Sequence, residues 1–482
     1  MAKEEKQGFV THITSREEDF SQWYTDVILK SDLVDYSDVK GCMVIKPYGY
    51  GIWENIQKEM DRRFKETGHK NAYFPLFIPE SLLAKEVEHV EGFAPEVAWV
   101  THGGNEKLAE RLVVRPTSET IICSMYAKWI QSHRDLPVLI NQWCNVVRWE
   151  KSTRPFLRTS EFLWQEGHTA HASHEEAQEE TLRMLGVYEE FARNVLAIPV
   201  VTGQKSEKEK FAGAQSTYTM EAMMQDGKAL QMGTSHNLGE HFARVFDIQF
   251  LDKDGKLKYV NQTSWGTSTR MIGGLIMVHG DERGLVLPPR VAPIQVVILP
   301  IAMHKEGVLD KANEIFRRLQ AAGLRVELDD RDTQSAGWKF NEWELKGVPI
   351  RLEIGPKDIA KDQVFVCRRD TLEKAPLPME GLEQSVPALL DDIHATILDK
   401  ALKMREARTY DATDFEQFRE GIIEKKGFVR AMWCGERTCE DEIKEKTGAT
   451  TRCMPFEQDH LGDVCVHCGK PAKTLTYFAR AY

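Results

Sequence analysis

Residues 156–168 read FLRTSEFLWQEGH, and no other stretch limits the fold as much. Alternate side chains of an extended segment share a face. A strand here puts Arg158, Ser160, Phe162, Trp164, Glu166 and His168 on one side. A guanidinium, two aromatics, a carboxylate and an imidazole make a poor hydrophobic core, but a good wall for a charged, flat ligand. A solvated sheet face with cross-strand charge pairs is the competing reading, and it accounts poorly for two large aromatics in one row. Upstream, Arg148 and Glu150 of VVRWE share a face in the same way, joined to the first stretch by a polar loop over 151–155.

A chain of 482 residues exceeds one ordinary core, which predicts two to four domains at about 100–200 residues each. Hydrophobic residues at 42% and charged residues at 28% exclude general disorder. No apolar run reaches the roughly 18–20 residues of a membrane span. The opening MAKEEKQGF has no apolar signal core, so the expected location is the cytoplasm, away from membranes. A net charge of −11 excludes a basic nucleic-acid coat but leaves room for a local basic groove.

The rhythm of the chain divides it into three parts. Over 1–290, amphipathic patterns at 17–29, 53–67 and 175–195 alternate irregularly with short β-branched runs at 71–78 and 139–149. The third pattern is apolar at Leu182, Leu185, Tyr188 and Phe191. This predicts an α+β domain on a mostly antiparallel sheet. The proline-rich GLVLPPRVAP closes it. Over 291–403, strand and helix patterns alternate, which predicts an α/β domain on a mixed, mostly parallel sheet. Residues 404–482 form a small α+β domain carrying five of the nine cysteines.

Two further clusters carry chemistry. In RPTSE, Thr117 and Glu119 present a hydroxyl and a carboxylate together, suited to an ammonium; the alternative is a helix N-cap. Gln231, Thr234 and His236 precede a Gly/Thr-rich stretch with Ser268 and Arg270, where small residues let a backbone approach a ligand; a structural turn is the alternative. In the tail, Cys434-x4-Cys439 and Cys465-x2-Cys468 give the spacing of a structural zinc site with four thiolates. Cys453, His460 and His467 are possible substitutes for one ligand.

Taken together, Arg148-x-Glu150, a loop, Arg158-x-x-x-Phe162 and a later Arg270 before a glycine-containing helix resemble the motifs of class II aminoacyl-tRNA synthetases. NAYFPLFIP resembles the motif that builds the dimer interface in that class. GCMVIKPYGYGIWENIQ, RPTSE, RTSEFLWQEGHTA, QMGTSHNLG, WKFNEWELKGVPIRLEIGPKD, the cysteine-bearing tail and the terminal FARAY are most similar to prolyl-tRNA synthetases of the archaeal/eukaryotic-like type.

The resemblance implies a homodimer with a class II catalytic domain, an anticodon-binding domain and a zinc-binding extension. The substrates it implies are ATP with Mg²⁺, proline and the proline tRNA. It implies that Arg148 and Arg270 are catalytic. Arg148, Glu150, Arg158, Thr159, Phe162, Gln231, Thr234, Ser268 and Arg270 would hold ATP. Thr117, Glu119, Arg148, Trp164, Glu166, His168 and His236 would hold proline. Lys339, Glu342, Glu344, Arg351 and Lys357 would meet the anticodon, unless they are simply solvated charges. No editing domain fits between Phe162 and Arg270, and the terminal Tyr482 is expected to fold back toward the active site. A non-catalytic paralogue would have lost the motif arginines. A threonyl enzyme would need a Cys/His/His set among the catalytic motifs, and a histidyl enzyme would lack the cysteine-rich tail.

Overall fold

The computed structural model describes residues 13–85 and 97–482. The charged opening stretch read above lies outside the described residues. The fold is organised by one eleven-stranded sheet. From one edge its strands are Thr409–Ala412, Phe428–Trp433, Thr474–Ala479, Thr450–Pro455, Val200–Gln204, Ser216–Met223, Ala229–Gly239, Asn261–Ser268, Glu161–His171, Val138–Val147 and Lys70–Asn71. Only the pairings at the two edges are parallel.

The sheet crosses from the first region into the tail, a continuity that the three-part sequence reading lacks. Met454 pairs with Gln204, and Pro455 with Gly203. Gly203 permits this approach, because a Cβ there would lie 2.3 Å from the Met454 carbonyl oxygen.

Helix His174–Asn194 packs across the sheet. Ser173 caps it by accepting a hydrogen bond from the Glu176 amide at 3.2 Å. Its buried stripe runs through Ala177, Thr181, Met184, Leu185, Tyr188 and Phe191. Leu182, assigned above to the apolar face, is exposed, one position out of phase with that stripe. The stretch 53–67 belongs to a longer helix, Pro47–Glu66, which starts early because Pro47 suits the first helical turn. Ile52, Ile56, Met60 and Phe64 bury its inner face.

The second sheet has the order Val326–Leu328, Val296–Pro300, Ile350–Ile354, Gln363–Arg368, Lys374–Pro378. Its first two pairings are parallel and its last two antiparallel, so it is evenly mixed, not mostly parallel. The unforeseen strand is Lys374–Pro378, where prolines mask the pattern and an edge position tolerates them. Helices Val308–Ala321 and Leu382–Ala407 cover the Val296/Ile298 face. Trp343, from helix Ala336–Leu345, packs on the Val297/Leu299 face.

Candidate active site

The cleft is built by strand register. His168 pairs with Ser264, Glu166 with Gly266 and Trp164 with Ser268, while His236 and Thr234 pair with Ser264 and Gly266 from the other side. Three antiparallel strands thus line one cavity of about 290 Å³, the strand Glu161–His171 with every second residue. Behind it the Trp265 ring packs in the core against Phe64 and Tyr188, and a Cβ at the paired Gly167 would strike that ring at 2.1 Å.

Phe162, Trp164, Glu166 and His168 face this space as the alternation predicts. Arg158 and Ser160 do not line it. The strand begins only at Glu161, and the preceding residues turn through a bridge between Arg154 and Arg158. Ser160 is buried, with its amide bonded to the Gly41 carbonyl. Arg158 stands outside the lining, 3.8 Å from Glu150. Thr159 is also outside, its hydroxyl donating to the Glu161 carbonyl at 2.7 Å.

At one end lie Thr117 and Glu119, both buried, with the Thr117 hydroxyl donating to the Glu119 carboxylate. Glu119 is the first residue of helix Glu119–Trp129, so the N-cap reading was right about the helix. Ser118 makes no capping bond with its side chain, however. Its hydroxyl and amide instead donate to Glu166, at 2.5 and 3.1 Å.

Glu166 also accepts from Gln142 at 3.0 Å and pairs with His168 at 2.9 Å. Burial pushes the Glu166 pKa up, but His168, Ser118 and Gln142 more than offset this and hold it low. Burial alone would depress His168; Glu166 raises it above the usual histidine value. A raised pKa contributes stability in full below the unfolded value of about 6.5, and that contribution is lost as pH rises through the folded pKa. The melting-temperature difference between the protein and His168→Gln should therefore shrink above about pH 6.5. A difference that stays flat with pH would remove the charged pair from the account.

The same cleft also holds a basic cluster. The Arg148 guanidinium lies 5.6 Å from the Phe162 ring centre and 5.3 Å from that of Trp164. Its Nε donates to the Pro116 carbonyl at 3.1 Å. Arg270 opens helix Arg270–His279, and its Nε donates to the Leu157 carbonyl at 3.1 Å. Burial, with Arg148 and Arg158 nearby, brings the Arg270 pKa down to about 10. Clustered like charges repel, and an arriving polyanion relieves that repulsion.

Gln231, Thr234 and Ser268 line the same cleft. His236 meets the hydroxyls of Thr217 and Thr234 at 2.9 and 3.0 Å. Burial, with His168 nearby, lowers its pKa to about 3, so it is neutral. Sequence reasoning missed Glu209, Phe211 and Thr217 as lining residues. Phe211 stacks on His236 with ring centres 4.7 Å apart. The only hint in sequence was an aromatic inside the loop-like FAGAQ. The Ser264 hydroxyl is buried with no hydrogen-bond partner among the described residues.

Elsewhere, Cys434, Cys439, Cys465 and Cys468 bring their sulfurs within 4.8 Å of one another. Cys453 is buried in strand Thr450–Pro455, apart from this group, while His467 Nδ1 lies 3.4 Å from Cys439. In the second domain, Lys339 and Arg351 are buried, bonded to Asp329 and to Glu344 with Glu353 respectively. Glu342 pairs with Arg331 and Lys346, and Lys357 is exposed. The terminal Tyr482 donates to Asp226 at 2.6 Å, and its ring lies 5.4 Å from the Arg154 guanidinium. It therefore docks beside the 151–155 loop rather than among the residues lining the cleft.

An antiparallel sheet whose cleft holds an Arg–aromatic wall and a half-buried arginine at a helix start is the core of a class II aminoacyl-tRNA synthetase. The class II core domain family (G, H, P, S and T) matches residues 99–279, the anticodon binding domain family matches 295–389, and the prolyl-tRNA synthetase C-terminal family matches 415–482. Over all 482 residues and the full length of each relative, the chain is 68% identical to a proline–tRNA ligase of Alkaliphilus oremlandii. It is likewise 65% identical to one of Acetoanaerobium sticklandii and 64% identical to proline–tRNA ligase 2 of Clostridioides difficile. The chain belongs to the proline–tRNA ligase family.

Proposed function

We infer that this chain joins proline to its tRNA in two steps within the one cleft. First, a proline carboxylate oxygen attacks the α-phosphorus of ATP; the new O–P bond forms as the bond to the bridging oxygen breaks, and pyrophosphate leaves. Second, a terminal ribose hydroxyl of the tRNA attacks the prolyl carbonyl and AMP departs. No protein nucleophile is needed; the site must neutralise charge and align the reactants.

In this reading Arg148 bridges the carboxylate and the α-phosphate, and Arg270 with Arg158 takes the outer phosphates. Phe162 stacks on adenine, while Gln231, Thr234 and Ser268 complete the nucleotide contacts and Thr159 holds the turn beneath them. Thr117 and Glu119 receive the proline ammonium. Trp164 and His236 enclose the ring, with Glu166 and His168 fixing the wall behind it. The observation that carries the reading is that a buried hydroxyl–carboxylate pair, Thr117 and Glu119, lines the same cleft as Arg148 and Arg270. Selectivity against alanine rests on packing, at about 1–3 kcal/mol per methylene.

Magnesium would screen the triphosphate. One carboxylate, Glu150, suits an ion held chiefly by phosphate oxygens. Zinc in the tail would be structural: four thiols at this spacing close a tetrahedral shell. Among the anticodon candidates, exposed Lys357 is the one placed to touch RNA; Lys339, Glu342, Glu344 and Arg351 shape the surface from within.

Homodimer formation is supported by Tyr73 and Phe77, which are 71% and 45% exposed on the NAYFPLFIP segment. No helix among the described residues is long and apolar enough to cross a membrane. A reduced cysteine cluster suits the cytoplasm.

The test is ATP–pyrophosphate exchange across all standard amino acids. Proline-dependent exchange is the expected result. Absence of exchange with every amino acid, or exchange with threonine alone, overturns the reading.

A further inference from the structure

The wall formed by Phe211 and His236 hangs from a segment that the cysteine-bearing tail holds. Leaving strand Val200–Gln204 at its pairing with Thr450–Pro455, the chain passes Lys205, whose Nζ donates to buried Glu221 at 2.9 Å. Arg452 of the tail strand donates to the same carboxylate at 2.9 and 3.0 Å. The next residue, Ser206, donates to Glu440 at 3.1 Å, and Thr451 donates to the same Glu440 oxygen. Lys208 then pairs with Asp441 at 2.6 Å. Glu440 and Asp441 follow Cys439 directly in helix Arg437–Thr447, and Glu440 is only 2% exposed.

From this anchor the segment enters the cleft. The Ser206 hydroxyl accepts from the Glu209 amide at 3.2 Å. The Phe211 amide donates to Thr217 Oγ1 at 3.0 Å, and that hydroxyl meets His236 at 2.9 Å. Glu209 and Phe211 both line the cavity.

We propose that Glu440 and Asp441 are positioning residues for the amino-acid end of the cleft: they strap residues 205–211 to the helix bearing Cys439 and so fix the Phe211–His236 wall. The wall lies at the amino-acid end, because His236 pairs across Ser264 from His168, whereas Arg148 and Arg270 gather at the other end. Loosening the strap therefore weakens proline more than ATP. The inference rests on the proline-ligase reading for its substrate.

The test compares Glu440→Ala with Glu440→Gln, because a glutamine carbonyl still accepts from both hydroxyls. Glu440→Ala should raise the KM for proline about tenfold or more while leaving the KM for ATP within about twofold. Amide hydrogen exchange over 205–215 should accelerate, with metal per chain unchanged. Glu440→Gln should stay within about threefold of the parent for proline. At the second anchor, Lys208→Asp and Asp441→Lys should each raise the proline KM a few-fold, and the swapped pair should restore it. This arm decides if Glu440→Ala does not fold.

Equal rises in both KM values, an unchanged exchange rate, a glutamine variant as impaired as alanine, or a swap that restores nothing would overturn the strap. A parent lacking proline-dependent exchange would sink the function reading instead. Hydrogen exchange would still judge the strap.

Discussion

Replacing Arg148 by alanine should reduce proline-dependent ATP–pyrophosphate exchange by about 10³-fold in kcat/KM, and Arg148→Lys by about 10²-fold. Both reactants at the bond-forming step are anions, so their approach requires fixed positive charge that needs no reorganisation. The Arg148 guanidinium is held ready by its bond to the Pro116 carbonyl and by the rings of Phe162 and Trp164. Lysine keeps the charge but loses the planar fork that can bridge two oxyanions, and it loses the stacking.

The fold should survive. Surface-type ring contacts and single hydrogen bonds, at about 0.5–1 kcal/mol each, are a small part of a core this size. The measurement is exchange kinetics beside a melting curve. Exchange retained within tenfold of the parent would remove Arg148 from the reacting centre. A collapsed melting transition would make its role structural.

The site was legible where the strand Glu161–His171 carried it. Alternation alone put Phe162, Trp164, Glu166 and His168 on one wall, because side-chain period in a strand is fixed by the pleat. The same rule failed at Arg158 and Ser160, since nothing in FLRTSE marks where pairing begins. Loop residues carry no period, and the segment bearing Glu209 and Phe211 is bonded at Ser206 and Lys208 to a helix more than two hundred residues away. Arg351 and Lys339 show the opposite error. The family resemblance implied contact with RNA, but burial against Glu344, Glu353 and Asp329 depends on neighbours from other elements. The evenly mixed second sheet was missed for a local reason, two prolines in an edge strand.

Substituting Cys439 by serine should lower bound zinc from about one per chain to near zero and open the tail to proteases. The sulfurs of Cys434, Cys439, Cys465 and Cys468 come from a strand end, a helix start and a turn, and no disulfide joins them. Three of these four cysteines are buried in a small core with Trp433, Ile443 and Phe478. Such a core is too small to hold a turn like 465–468 without a cross-link. Structural zinc in small isolated domains supplies roughly 10–16 kcal/mol of apparent binding energy. Here the strands Phe428–Trp433, Thr450–Pro455 and Thr474–Ala479 also belong to the large sheet. The loss should therefore unravel the turn and the start of helix Arg437–Thr447, while the catalytic strands stay folded. Cys453→Ser is the control: that sulfur is buried elsewhere, so zinc content should not change. Elemental analysis with limited proteolysis reads both effects. A parent free of metal, or a Cys439→Ser protein as protease-resistant as the parent, would show that the four thiols pack without an ion.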